Sequence, residues 1–284
     1  MQIMNRKQLE SFIQMALAED VGDGDHSSMA VLDTSTVGEA TLLVKEQGII
    51  AGVEVARCIF EMISSPFRFT ELIPDGTEVF HGDKVFTVKG QTMGILKGER
   101  LVLNIMQRMS GIATTTKKYS DAVKGFKARI TDTRKTAPGM RFLEKEAVLL
   151  GGGSNHRMGL YDMIILKDNH IDYAGGIRKA IEKTHKYLTG NNLNLKIEVE
   201  ARNMDEVQQI IDTGGVDRIM LDNFNIDQTK EAVNCIGGSM EIESSGGITL
   251  DNVRDYAACG VDLVSIGALT HQMKSLDLSL KASL

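Results

Sequence analysis

The stretch TDTRKTAPGMR gathers Arg134, Lys135 and Arg141 within eight residues around a Pro-Gly break, in a chain carrying 38 acidic against 32 basic residues. Further on, GGGSNHR supplies His156 and Arg157, and LKDNH supplies Lys167. Guanidinium forks and ammonium points of this kind suit carboxylates and phosphates. Glu200 and Asp222 are hard oxygen donors that could share Mg²⁺ with a substrate phosphate. A third group is glycine-rich: Ser245-Gly246-Gly247, and Gly267 in SIG. There glycine lets backbone N–H groups approach a phosphate where the next helix starts. Each piece alone has a plainer reading. GGGSNHR lacks the phosphate-loop pattern, a Glu at a strand end is commonly a surface ion-pair partner, and SGG can simply start a helix. Jointly they describe a site for one multiply phosphorylated and one carboxylated substrate.

The elements that must position these residues are legible as period. Strand-like runs cover 128–133, 162–168, 195–201, 217–223, 240–246 and 262–268, and helical spacing fills 141–150, 175–188, 203–212, 226–234 and 249–258. Strand then helix, repeated, predicts parallel βαβ units, and the near-continuous Ile, Val, Leu and Met predict strands covered on both faces. Thr133-Arg134-Lys135, Lys167, Glu198 and Glu200, Asp222, Ser245-Gly246-Gly247 and Gly267 fall at the carboxyl ends of their strands, the rim where parallel α/β sheets bind ligands. Six units are too few for an eight-unit barrel, which leaves a smaller closed barrel or an open doubly wound sheet. Before residue 125 the order is mixed. A helix is expected over 6–18 within an amphipathic start, followed by a turn-rich EDVGDGDHSS loop. Strands at 37–45, 67–73 and 84–89, a helix at 53–63, and a long helix at 95–124 kinked at Ser110-Gly111 complete an α+β domain.

Composition narrows the class. With 42% hydrophobic and 25% charged residues the chain is an ordinary globular protein, long enough for about two domains. A net charge of -6 argues against general nucleic-acid affinity. Cys58, Cys235 and Cys259 form no C-x-x-C pair, so neither a disulfide framework nor a zinc site is indicated. No apolar run approaches the ~20 residues of a membrane span, and the start lacks a signal-peptide core. The expectation is a reduced cytoplasm.

The motifs T-x-T-R-K-T-x-P-G-x-R, A-V-L-L-G-G-G-x-x-H-R-x-G-L-x-D, I-L-K-D-N-H, E-V-E, L-D-N-F and S-S-G-G-I occur in that order. Together with EDVGDGDHS and ERLVLNIMQRMSGIAT they resemble quinolinate phosphoribosyltransferases through nearly the whole chain. The resemblance implies an N-terminal α/β sandwich over 1–115 and a C-terminal incomplete (β/α) barrel of six to seven parallel strands over 116–269. A C-terminal helix over 270–284 would pack back on the first domain. It also implies Mg²⁺, a homodimer or homohexamer, and the joining of quinolinate to phosphoribosyl pyrophosphate with loss of CO₂ in NAD biosynthesis. Carried over by position, Thr133, Arg134, Lys135, His156, Arg157 and Lys167 line the quinolinate and pyrophosphoryl site. Arg100 would be inserted from the neighbouring subunit. Glu200 and Asp222 match the acidic pair near ribose and metal, with Lys135 beside them in catalysis, and Ser245, Gly246, Gly247 and Gly267 match the loops holding the ribose 5-phosphate. One departure is Gly214-Gly215, where a single glycine is expected. Two other readings keep the scaffold: a paralogous transferase with another base, and a Schiff-base aldolase using Lys167.

Overall fold

The structure is a computed structural model that describes residues 5–63 and 66–283; the first four residues of the expected amphipathic start lie outside them. The chain runs α1 (Arg6–Val21), α2 (His26–Val31), β1 (Val37–Val44), β2 (Gly48–Ile49), α3 (Val53–Ile63), β3 (Arg68–Glu71), β4 (Glu78–Val79), β5 (Lys84–Gln91) and α4 (Thr92–Ala122). It continues with β6 (Arg129–Thr131), α5 (Arg141–Leu150), β7 (Ile164–Leu166), α6 (Asp168–Ala174), α7 (Ile177–Gly190), β8 (Ile197–Ala201), α8 (Met204–Thr213) and β9 (Arg218–Asp222). Last come α9 (Ile226–Ile236), β10 (Glu241–Ser245), α10 (Val253–Ala258), β11 (Leu263–Ser265), α11 (Ala268–His271) and β12 (Leu278–Ser283). Two compact units result. One holds the chain up to Lys117, Thr136–Gly152 and everything from Leu269; the other holds Lys118–Lys135 and Gly153–Ala268.

The first unit is built on an antiparallel sheet of order β12-β1-β5-β3. Phe60 of α3 packs onto Phe69 and Phe86 of that sheet, whose rings are 4.5 Å apart. The buried Phe60 and Phe86 rings each contribute roughly 1.5–3 kcal/mol. The helix expected over 270–284 is not formed. Leu278 and Leu280 are buried while Ser279 and Lys281 between them are more open, a period of two, and the segment pairs antiparallel with β1. The long helix expected over 95–124 is formed as α4, which runs unbroken through Ser110-Gly111. Gly111 serves a different purpose: a Cβ there would overlap the carbonyl oxygen of Lys274, so glycine permits the returning chain to lie against α4. Within EDVGDGDHSS, the side chain of Asp25 accepts from Ser28 N and caps the short helix α2, which the turn-rich reading missed.

The segment Thr136–Gly152 was expected in the barrel but belongs to the first unit. A buried pair fastens it: Arg108 of α4 donates to Glu144 Oε1 through Nε at 2.8 Å and Nη2 at 2.6 Å. Glu144 also accepts from Ala137 N at 3.3 Å, and Arg108 Nη2 donates to Thr270 O. Burial pushes the Glu144 carboxyl up, and the Arg108 guanidinium offsets part of that.

The second unit is a parallel sheet of six strands, ordered β6-β11-β10-β9-β8-β7. A seventh row is one bridge wide, where Ser154 meets Thr131 on the free side of β6. Four steps separate β6 from β8, about 19 Å across a flat sheet at ~4.8 Å per step. Yet His156, just beyond the Ser154 bridge, lies 3.0 Å from Glu198 of β8. The sheet must therefore be rolled, with one face turned inward, as the incomplete-barrel expectation requires. Helices between the strands begin on side-chain caps, Asn203 for α8 and Asn225 with Gln228 for α9.

Candidate active site

The inward face carries charged and polar residues on β8, β9 and β10, with Met220 among them, where covered apolar strands were expected on both sides. Residues two apart on a strand share a face, so β8 contributes Glu198 and Glu200, β9 contributes Arg218 and Asp222, and β10 contributes Glu241, Glu243 and Ser245. Glu200 stands one level above Glu198 and is level with Met220, and Asp222 stands one level higher at the strand end, where it pairs with Ser245 across the β9–β10 ladder.

Along that rim lie the residues singled out from the sequence in this unit, His156 excepted. Lys167 Nζ lies 3.3 Å from Glu200 Oε2. Thr133 Oγ1 accepts from Lys135 N at 3.1 Å, a turn that brings Arg134 and Lys135 to the exposed end of β6. Arg157 Nη1 donates to Met163 O at 3.0 Å, while its Nε is buried and has no hydrogen-bond partner. Burial, and then the neighbouring Arg134 guanidinium, push the pKa of Arg157 down. Gly246 follows Ser245 with φ 93°, Gly247 follows it with φ 62°, and Gly267 lies two residues past the end of β11. Arg100 is not among these: it sits exposed on α4, in the first unit.

His156 is buried behind this rim rather than in it. Its Nδ1 accepts from Arg157 N at 2.7 Å, and its Nε2 lies 3.0 Å from Glu198 and 3.3 Å from Glu243. Asp132 accepts from its backbone N at 2.8 Å. Burial lowers the pKa of the ring, but the two carboxylates outweigh it and raise the value to about 9. His156, Glu198 and Glu243 are close enough for a metal. However, Arg218 Nη1 lies 3.2 Å from Glu243 and 3.7 Å from Glu198, and that fixed positive charge already fills the cation's role.

Glu198 was noted from the sequence only as a strand end, and Arg218 and Glu243 went unnoticed. The signal was present: Glu198 and Glu200 on β8, Arg218 and Asp222 on β9, and Glu241 and Glu243 on β10 are even numbers of residues apart and so share one face. The other histidine of the Lys167 motif has a local task, since His170 Nδ1 accepts from Lys167 N at 3.0 Å at the start of α6. An aldolase lysine needs an apolar, desolvated setting, whereas the Lys167 side chain is 50% exposed and paired with Glu200. That reading loses its support.

Glu200 and Asp222 offer two carboxylates on adjacent strands facing the same way, a donor set that fits Mg²⁺ shared with phosphate oxygens.

A rolled parallel sheet that presents guanidinium groups, paired carboxylates and glycine turns at one rim is the build of an α/β enzyme handling phosphorylated, carboxylated substrates. The sequence matches the quinolinate phosphoribosyl transferase N-terminal domain over residues 25–110 and the C-terminal domain over 112–281. The chain belongs to the quinolinate phosphoribosyltransferase family. It is 45% identical over 288 residues to quinolinate phosphoribosyltransferase [decarboxylating] 1 of Nicotiana glauca, covering 96% of this chain and 82% of that protein. It shares the same identity and coverage with the chloroplastic nicotinate-nucleotide pyrophosphorylase [carboxylating] of Arabidopsis thaliana. Among solved structures it resembles the nicotinate-nucleotide pyrophosphorylase of Francisella tularensis, with TM-score 0.93, 36% identity, and coverage of 99% of this chain and 98% of that one.

Proposed function

We propose that the chain transfers the phosphoribosyl group of phosphoribosyl pyrophosphate to quinolinate, releasing pyrophosphate and CO₂ and forming nicotinate mononucleotide for NAD synthesis. One observation carries this reading. Arg134 and Arg157 are held close enough for one charge to depress the pKa of the other, and Arg157 keeps a buried Nε without a hydrogen-bond partner. Two like charges in a half-dry site call for a dianion with oxygens at two positions, and quinolinate is one.

In this reading Arg134, Arg157 and Lys167 bind the two carboxylates and orient the pyridine nitrogen toward C1 of the ribose. Lys135 and Thr133 receive the pyrophosphoryl group, and Ser245, Gly246, Gly247 and Gly267 hold the 5-phosphate. As the nitrogen's lone pair forms the new bond and pyrophosphate leaves with the C1–O electron pair, positive charge develops at C1. Glu200 and Asp222 stabilise that charge. The 2-carboxylate then leaves as CO₂; its bonding pair stays on the ring carbon beside the quaternised nitrogen and takes up a proton. Glu200 and Asp222 would hold Mg²⁺, which when bound supplies counter-charge to the pyrophosphate. His156 positions Arg157 from behind. We place the enzyme in the cytoplasm, in keeping with its unpaired cysteines; among the described residues no helix is long and apolar enough to cross a membrane.

The test is turnover: protein given quinolinate carboxyl-labelled at ring position 2 and phosphoribosyl pyrophosphate should release labelled CO₂ with Mg²⁺ and lose that activity in chelator. No release, with another pyridine or purine base accepted instead, would assign the chain to a paralogous reaction. The proposed assembly is a homodimer or homohexamer whose sites borrow Arg100 from the neighbour. Mixing Arg100→Ala and Arg157→Ala proteins, at a quinolinate concentration where neither turns over appreciably, should then restore part of the activity, and no recovery on subunit exchange would place Arg100 in its own chain's site.

A further inference from the structure

Asn223 has φ 57°, one of two non-glycine residues with positive φ among those described. Asparagine tolerates this left-handed conformation better than most, and on that ground alone it would be an ordinary turn residue. Its side chain, however, is committed at both ends. Nδ2 donates to Asp222 Oδ2 at 2.8 Å; a carboxylate oxygen can only accept, so the orientation of the amide is fixed. Oδ1 lies over the Cα of Gly246, where a Cβ would overlap it. The backbone N of Asn223 donates to Ser245 O at 2.9 Å. One residue thus ties the acidic end of β9 to the glycine turn after β10.

We propose that Asn223 is a positioning residue that holds the Asp222 carboxylate in its working rotamer and sets its distance from the Ser245–Gly247 turn. The inference rests on the proposed role of Asp222 at the ribose and of the turn at the phosphate. It explains two sequence features at once. Residue 246 must be glycine for its φ of 93° and to admit the Asn223 side chain. Residue 223 must pair a left-handed backbone with an amide donor, which glycine and aspartate each do only in half.

Asn223→Gly separates the structural and functional roles. Glycine adopts the left-handed backbone without steric cost, so the variant should melt at or above the wild-type temperature. It should nevertheless lose about tenfold in kcat/KM for phosphoribosyl pyrophosphate, the scale of one hydrogen bond to a charged group. Calorimetry of Mg²⁺ with phosphoribosyl pyrophosphate, without quinolinate, should show weaker binding by a similar factor. The KM for quinolinate should stay near the wild-type value, because Asn223 bonds to Asp222 and the glycine turn and to none of the groups assigned to quinolinate. Wild-type kcat/KM and wild-type binding in the glycine variant would overturn the inference, as would a loss shared equally by both substrates. A wild-type protein that turns over no quinolinate would instead overturn the proposed function, and the calorimetric comparison would still read the role of Asn223.

Discussion

Replacing Arg157 with alanine should leave a folded protein whose quinolinate binding is weaker by about 2–5 kcal/mol, seen as a steep rise in KM. The size follows from where the side chain sits. Its Nη1 is fixed by the Met163 carbonyl, its Nε has no hydrogen-bond partner, and the Arg134 guanidinium is near enough to depress its pKa. In the free enzyme this like-charge pair is unfavourable, so the alanine variant gains a little from losing it. In the complex the variant must bury a carboxylate facing one guanidinium instead of two, and that cost dominates. Phosphoribosyl pyrophosphate meets other groups, so its KM should move far less. Steady-state kinetics with each substrate varied in turn checks this. An unchanged quinolinate KM would mean that Arg134 and Lys167 bind the dianion without help.

Period carried the reading of the fold, and it failed where pairing is distant or where a face is unusual. The strands over 197–201 and 218–222 and the helix over 53–63 follow from local apolar spacing, and they stand where the sequence places them. Local spacing cannot reveal that Leu278–Ser283 is a strand, because its partner is β1, more than two hundred residues earlier. Nor could a glycine after a serine in α4 distinguish a kink from a close approach without the Lys274 carbonyl in view. At the site, the polar residues at strand ends were legible because parallel sheets direct them to one rim. The layer beneath was obscured because Val199, Ile219, Leu221 and Ile242 on the covered face make β8 to β10 read as apolar runs. His156 looked like a ligand for the same reason: a histidine beside an arginine suggests an anion site, and only the depth of Glu198 and Glu243 shows that its ring is turned away.

That depth makes Arg218→Met the change expected to cost most stability, about 3–5 kcal/mol. Arg218 reaches Glu241 at 3.0 Å, Glu243 at 3.2 Å and Glu198 at 3.7 Å with only 12% of its side chain exposed. Glu198 and Glu243 are fully buried, and without the guanidinium they are left sharing one imidazole. Burial and then the charge of Glu243 already hold the Glu198 carboxyl above its ordinary range. Burial also opposes the Glu243 charge, but His156 and Arg218 pull that carboxyl below the usual value. Methionine keeps the length and apolar bulk of the stem while removing the charge, so at least one carboxylate must take up a proton to remain inside. A carboxyl whose folded pKa lies above its unfolded one contributes stability in acid and loses it as pH rises through the folded value. The deficit of the variant should therefore be largest near neutrality and shrink toward pH ~5, the opposite of ordinary acid destabilisation. Denaturant melts of both proteins at the two pH values measure this directly. A deficit that grows in acid would mean that the pair stays ionised without Arg218, with His156 alone as its counter-charge.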